Sequence, residues 1–203
     1  MKYTGYIEGY YGKLLSWDER LEIIGHLSQN NLNTYFYCPK EDPYHRSEWK
    51  KPYPQNWLEL FSNFINVSNQ NGINIIFGIS PGLNFNKSLE DLFLKIDVIT
   101  SLGITNIAIL FDDLFEDQSG QLHADILNEC LNKFPGVSFY CVPAEYCNQL
   151  SKPNFNESVY LENLVVSLSS DIAIFWTGDK VVSSNYSNED ISLWKEKLKH
   201  PLI

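Results

Sequence analysis

Two adjacent carboxylates, Asp112 and Asp113, stand at the end of an apolar run, Ile107-Ala108-Ile109-Leu110-Phe111. An unbroken run of this kind reads as a strand buried on both faces, the habit of parallel sheets. Like charges at such a strand end repel, so one carboxyl of the pair is expected to hold its proton while the other stays charged. That would place an acid and a base side by side at neutral pH. Successive side chains of a strand point to opposite faces, so both reach one pocket only if the strand twists or ends at Asp112. Two plainer chemistries fit the same residues. The pair can serve as a helix cap and a loop acid, or as hard oxygen ligands for magnesium.

The elements that must position this pair alternate strand and helix six times. Strands are predicted over Tyr3–Gly9, Leu32–Cys38, Ile73–Ile79, the Asp-Asp strand, Val137–Val142 and Ile172–Trp176. Ser16-Trp17-Asp18-Glu19 opens the first helix as a capping box, and Leu21, Ile24 and Leu27 follow at helical spacing. The second helix runs from Trp57 to Asn71-Gly72, and the third starts at a Ser88 cap and ends at Leu102-Gly103. The remaining helices cover Leu122–Phe134, Val159–Ser167 and Glu189–Leu198. Strict alternation implies a parallel sheet with right-handed crossovers.

Polar residues gather where strands end: Glu8-Gly9-Tyr10-Tyr11-Gly12, Lys40-Glu41-Asp42, Ser80-Pro81-Gly82, Asp112-Asp113, Glu145-Tyr146 and Thr177-Gly178-Asp179. That edge carries the active site both in a (β/α)8 barrel and in an open doubly wound sheet. Glu8-Gly9-Tyr10-Tyr11-Gly12-Lys13 is not a phosphate-binding glycine loop, which lowers the nucleotide reading. Pro201-Leu202-Ile203 reads as the first residues of a seventh strand. A closed barrel needs eight strands, so the 203 residues are expected to form a single domain, either an incomplete barrel or an open sheet.

Composition narrows the partners. Formal net charge is −10, which argues against nucleic acid and anionic membranes and suits a neutral substrate. Cys38, Cys130, Cys141 and Cys147 lack CxxC spacing and read as free, buried thiols. His26, His45, His123 and His200 form no zinc pattern, so neither metal nor cofactor is expected. No stretch is apolar for long enough to span a bilayer, and the first strand leaves no room for a leader. The chain as written reads as cytoplasmic, while a longer N-terminus would reopen a secreted reading.

Several motifs, in order along nearly the whole chain, resemble the catalytic domain of family 84 glycoside hydrolases, the O-GlcNAcase and hyaluronidase-like β-N-acetylglucosaminidases. They are Glu8-Gly9-Tyr10-Tyr11-Gly12, Tyr37-Cys38-Pro39-Lys40-Glu41-Asp42 with Tyr44-His45-Arg46, and Ile79-Ser80-Pro81-Gly82-Leu83. Leu110-Phe111-Asp112-Asp113, Pro143-Ala144-Glu145-Tyr146-Cys147 and Phe175-Trp176-Thr177-Gly178 with Lys180-Val181-Val182 complete the set. The resemblance implies a (β/α)8 barrel of which about six βα units are present. It also implies retaining, substrate-assisted hydrolysis of terminal β-linked N-acetylglucosamine, in which the substrate's 2-acetamido oxygen is the nucleophile and an oxazoline forms.

In that scheme Asp112 orients and polarises the acetamido group, and Asp113 is general acid and then general base. Gly9 lets backbone approach the sugar, Lys40 donates to its hydroxyls, and Tyr146 bonds near the acetamido group or the oxazoline. Plainer readings stand beside these: a tight turn at Gly9, a surface ion pair at Lys40, packing at Tyr146. Trp176 is expected in the core rather than as a sugar platform, and Glu8 and Glu145 have no assigned role. The family pattern continues beyond Ile203 with a further aspartate that grips the outer sugar hydroxyls. A carbohydrate-binding or interaction module without turnover is therefore the alternative to an enzyme. The partner expected is an N-acetylglucosamine-containing glycan or glycoprotein, and a second copy or a second chain would complete the barrel wall.

Overall fold

The computed structural model describes residues 3–82, 89–112 and 119–203. By internal contacts the chain divides into two compact units, Met1–Ile107 and Ala108–Ile203.

The first unit holds β1 (Gly5–Glu8), α1 (Trp17–Gln29), β2 (Thr34–Tyr37), α2 (Gln55–Gln70), β3 (Asn74–Ile79) and α3 (Glu90–Ser101). The boundary falls within β4 (Asn106–Leu110). β1 pairs in parallel with β2, and β2 with β3. The Ser16 side chain accepts from the Glu19 N–H, and the Glu19 side chain returns to the Ser16 backbone, so α1 starts at the expected box. α2 starts at Gln55, two residues before Trp57, with Pro54 at its flank supplying a fixed φ. α3 starts at Glu90 with Leu89 at its flank and no side-chain cap; the expected cap Ser88 lies outside the described residues.

The core of this unit is aromatic. Tyr37 stacks on Phe77 at 5.4 Å and 9°, and Trp57 on Phe61 at 4.6 Å. Tyr35, Phe61, Phe64 and Phe77 are fully buried. Offset aromatic pairs gain about 0.5–1.5 kcal/mol each beyond the area they bury, and Phe61 of α2 meets Tyr37 of β2 and Phe77 of β3, each at 5.4 Å, which fastens α2 to both strands.

The second unit holds α4 (Gly120–Lys133), β5 (Ser138–Val142), α5 (Val159–Ser167), β6 (Ala173–Ile174) and α6 (Asn188–Leu198). β5 pairs in parallel with β6. α4 and α5 touch at Gly120, where an added Cβ would lie 2.0 Å from the Tyr160 carbonyl oxygen and 2.7 Å from the Leu164 nitrogen. Only a residue without a side chain permits that approach. Ile107, Ala108 and Ile109 of β4 are fully buried, as the apolar run implies.

The six strands lie in one sheet in the order β1-β2-β3-β4-β5-β6. Sequential order with a helix after each strand is the winding of a (β/α)8 barrel, and six of its strands are formed here. The expected seventh strand begins at the C-terminus. Leu202 bridges Ile174 in parallel, Ile174 N–H donates to Pro201 O at 2.8 Å, and Ile203 N–H donates to Ile174 O at 3.0 Å.

Candidate active site

In the first unit the end of β1 is built around a buried charge pair. Glu8, fully buried at the last position of the strand, receives the Arg20 guanidinium through two bonds, Nε at 2.9 Å and Nη2 at 2.8 Å. The Tyr35 hydroxyl donates to the same carboxylate at 2.6 Å. The guanidinium carbon sits 4.6 Å from the Trp17 ring centroid and 5.1 Å from that of Tyr37. Burial works against the Arg20 charge, but the Glu8 bonds and neighbouring phenols outweigh it, so the guanidinium is held more firmly protonated than in water. Burial, and then Glu8, push the Tyr35 phenol far up.

Glu8, left unassigned by the sequence, is thus a scaffold residue. It pins α1 to the strand from which Gly9 emerges. Arg20 had a readable signal: it lies on the buried stripe of α1 with Ile24 and Leu27, and a cation on such a stripe needs an anion.

Gly9 is half-buried. A Cβ there would come within 3.2 Å of Ile7 Cγ2 and 3.3 Å of Cys38 Sγ, so the position is tight on the protein side. Tyr11 beyond it is exposed. Lys40, one turn past β2, places Nζ 5.9 Å from the Tyr11 ring centroid, and the Arg46 guanidinium lies 5.4 Å from the same ring. Arg46 Nη2 also donates to the Tyr11 hydroxyl at 3.1 Å. The two acids beside Lys40 serve the backbone and the core. Glu41 accepts from Gly12 N–H at 2.9 Å, and buried Asp42 accepts from Tyr44 N–H, Tyr37 OH and Tyr53 OH.

The segment carrying Lys40 is tied down further along. Lys95 Nζ donates to Tyr44 O at 3.0 Å and Lys51 O at 2.6 Å and lies 4.3 Å from the Tyr53 ring centroid. Burial draws the Lys95 ammonium down to about 8. Gly9 and Lys40 therefore follow neighbouring strands in register, Glu8 opposite Tyr37.

In the second unit β4 ends at Leu110, and Asp112 is half-buried in the turn that follows. Asp113 lies outside the described residues. Phe111 N–H donates to Val142 O at 2.8 Å, joining the strand ends that lead to Asp112 and Tyr146. Phe111 stacks on the His123 ring at 3.8 Å and 5°.

The segment after β5 is held at three successive residues. Ala144 N–H donates to the Tyr160 hydroxyl at 2.9 Å. The Glu145 carboxylate accepts from Ser158 Oγ at 2.5 Å and Lys152 N–H at 3.3 Å, with burial raising its carboxyl above the ordinary range. The Tyr146 carbonyl accepts from Thr177 N–H at 2.9 Å. Tyr146 itself is half-buried. Trp176 is buried against Phe155 at 5.3 Å, in the core as expected.

All four cysteines are free and buried, again as expected. Among the described residues no group of three or more His, Cys, Asp or Glu side chains is placed to hold a metal ion. No helix of the described residues is long and apolar enough to cross a membrane.

Comparison with known proteins gives this arrangement a family. A profile described as beta-N-acetylglucosaminidase matches residues 4–203. Protein O-GlcNAcase of Mus musculus is 33% identical over 92% of this chain, and that of Rattus norvegicus 32% identical over the same share. The chain covers 22% of the length of each of these relatives. The solved structure of CpGH84B superposes with a TM-score of 0.90 at 32% identity, over 98% of this chain and 37% of that one. A matching profile over nearly every residue, together with the strand order, shows that the chain belongs to the beta-N-acetylglucosaminidase family, family 84 of the glycoside hydrolases.

Proposed function

We propose that this chain carries the catalytic strand ends of a retaining hydrolase that removes terminal β-linked N-acetylglucosamine from glycans or glycoproteins. The observation that carries the reading is the exit of strand β4, buried from Ile107 to Leu110, into Asp112, beside the strand that leads to Tyr146.

In the proposed reaction the acetamido oxygen attacks the anomeric carbon while the bond to the leaving oxygen breaks. Asp112 accepts the acetamido N–H, which grows more acidic as the oxazoline forms. Asp113 gives its proton to the leaving oxygen. In the second step Asp113 takes a proton from water, whose oxygen attacks the anomeric carbon and reopens the oxazoline. The two inversions retain configuration. Each carboxylate has one task, and no enzyme nucleophile or cofactor enters. Lys40 donates to sugar hydroxyls, Tyr146 bonds near the acetamido group, and Gly9 lets the backbone close on the ring.

Calorimetry with an N-acetylglucosamine-derived thiazoline, which mimics the oxazoline, tests the pocket. Binding far tighter than that of glucose is expected, since the site is complementary to the intermediate. Equal affinity for the two would overturn the reading. Thiazoline binding without hydrolysis of an aryl N-acetylglucosaminide would favour a binding module over an enzyme. Loss of turnover on adding a chelator would favour the magnesium reading of the two aspartates.

A further inference from the structure

We propose that His123 and Tyr160 are positioning residues that hold the ends of β4 and β5, and with them Asp112 and Tyr146, through one shared phenol oxygen. The inference rests on the reading of Asp112 and Tyr146 as pocket residues.

Three contacts form a continuous chain. Phe111, the residue before Asp112, lies flat on the His123 imidazole. His123 Nδ1 is 2.9 Å from the Tyr160 hydroxyl, and that hydroxyl accepts the Ala144 N–H at 2.9 Å. Ala144 lies two residues before Tyr146. All four residues of the chain are buried. The helices that deliver the two side chains meet at Gly120, where the backbone of α5 comes close enough to exclude a Cβ.

The Ala144 bond has one possible direction, and the His123 bond follows the imidazole tautomer. The Tyr160 oxygen accepts from Ala144, so its single O–H is available to donate, and Nδ1 of His123 is the acceptor in line. That direction holds when the imidazole is neutral with its proton on Nε2; with the proton on Nδ1 the ring would donate to the second lone pair of the same oxygen. Burial draws His123 down to about 4, in keeping with a neutral ring. Removing the phenol oxygen would leave a buried amide N–H and a buried ring nitrogen unpaired at once, one on the strand end and one under Phe111. The shared atom couples the two strand ends from the helix side, beside the direct backbone bond from Phe111 N–H to Val142 O.

The test is Tyr160→Phe in this chain, with Asn128→Ala as a control of comparable stability loss. Asn128 ties α4 to the end of α5 through Ser167 O at 2.8 Å and Ser169 N–H at 2.9 Å, and these bonds reach neither strand end. Tyr160→Phe should weaken thiazoline binding by about tenfold and shift the amide resonances of both Asp112 and Tyr146. Asn128→Ala should leave both readouts unchanged. A Tyr160→Phe chain that loses thermal stability yet keeps wild-type affinity and wild-type resonances at Asp112 and Tyr146 would overturn the proposal. If the wild-type chain binds no thiazoline, the glycosidase reading fails on its own, and the resonances alone decide the positioning claim. If Tyr160→Phe does not fold, His123→Gln decides it: shifted amide resonances at both Asp112 and Tyr146 are required, and wild-type resonances at Tyr146 refute the coupling.

Discussion

Arg20 closes a two-point fork on Glu8, with both bonds under 3 Å and both side chains almost wholly out of water. The pair joins the first turn of α1 to the last residue of β1, one position before Gly9. Breaking one partner strands the other charge in the core. Glu8→Gln should therefore cost about 3–5 kcal/mol of folding stability, measured by urea unfolding. The double variant Glu8→Leu with Arg20→Met should lose clearly less, since neither charge is then buried alone. Equal losses in the two would mean that the pair matters for packing and not for charge.

The two aspartates are expected to separate by leaving group. General acid help matters most when the departing oxygen is basic. In an active form of this protein, Asp113→Ala should lose about a hundredfold or more on alkyl or peptide-linked substrates and much less on activated aryl glycosides. Asp112→Ala should lose rate on both, because the acetamido group must be oriented whatever departs. Parallel losses along a leaving-group series would contradict the assigned roles.

Acid should weaken the second unit through His123. Its folded value, about 4, lies below the ordinary 6.5, so between those two values the unfolded chain binds a proton that the folded chain refuses. The stabilisation is complete above about 6.5 and is lost as the pH falls toward 4, by about 3 kcal/mol over the window. Urea unfolding at pH 7 and pH 4.5 should show a steep fall in the wild type and a shallower one in His123→Gln. Parallel pH profiles would show that the imidazole titrates as if exposed.

Gly120→Ala should be costly although alanine is the better helix former. The added methyl would sit 2.0 Å from the Tyr160 carbonyl oxygen, so α5 must move and carry the Tyr160 hydroxyl away from Ala144. A loss of about 1–3 kcal/mol is expected from overpacking, with faster hydrogen exchange at the Ala144 amide. Exchange at Ala144 unchanged from wild type would show that α5 yields without disturbing the strand end.

The sequence by itself determined the alternation, and with it the fold class. Apolar runs such as Ile107–Phe111 and capping patterns such as Ser16–Glu19 are local signals, readable from neighbouring residues alone. The α5 range Val159–Ser167 was legible to the residue. Boundaries slipped where local signal was weak: β6 is two residues long against an expected five, because pairing rather than composition ends a strand. The candidate site was legible only as motif residues clustered at strand ends. Glu8 and Glu145, two acids of like appearance in those motifs, were decided by the tertiary structure alone. One lies opposite a cation delivered by α1, the other against Ser158 and the Lys152 amide. Likewise nothing local joins His123, Tyr160 and Ala144. Their link exists only because a glycine on α4 lets α5 approach, and hydrogen bonds between residues far apart in sequence leave no periodic trace in the chain.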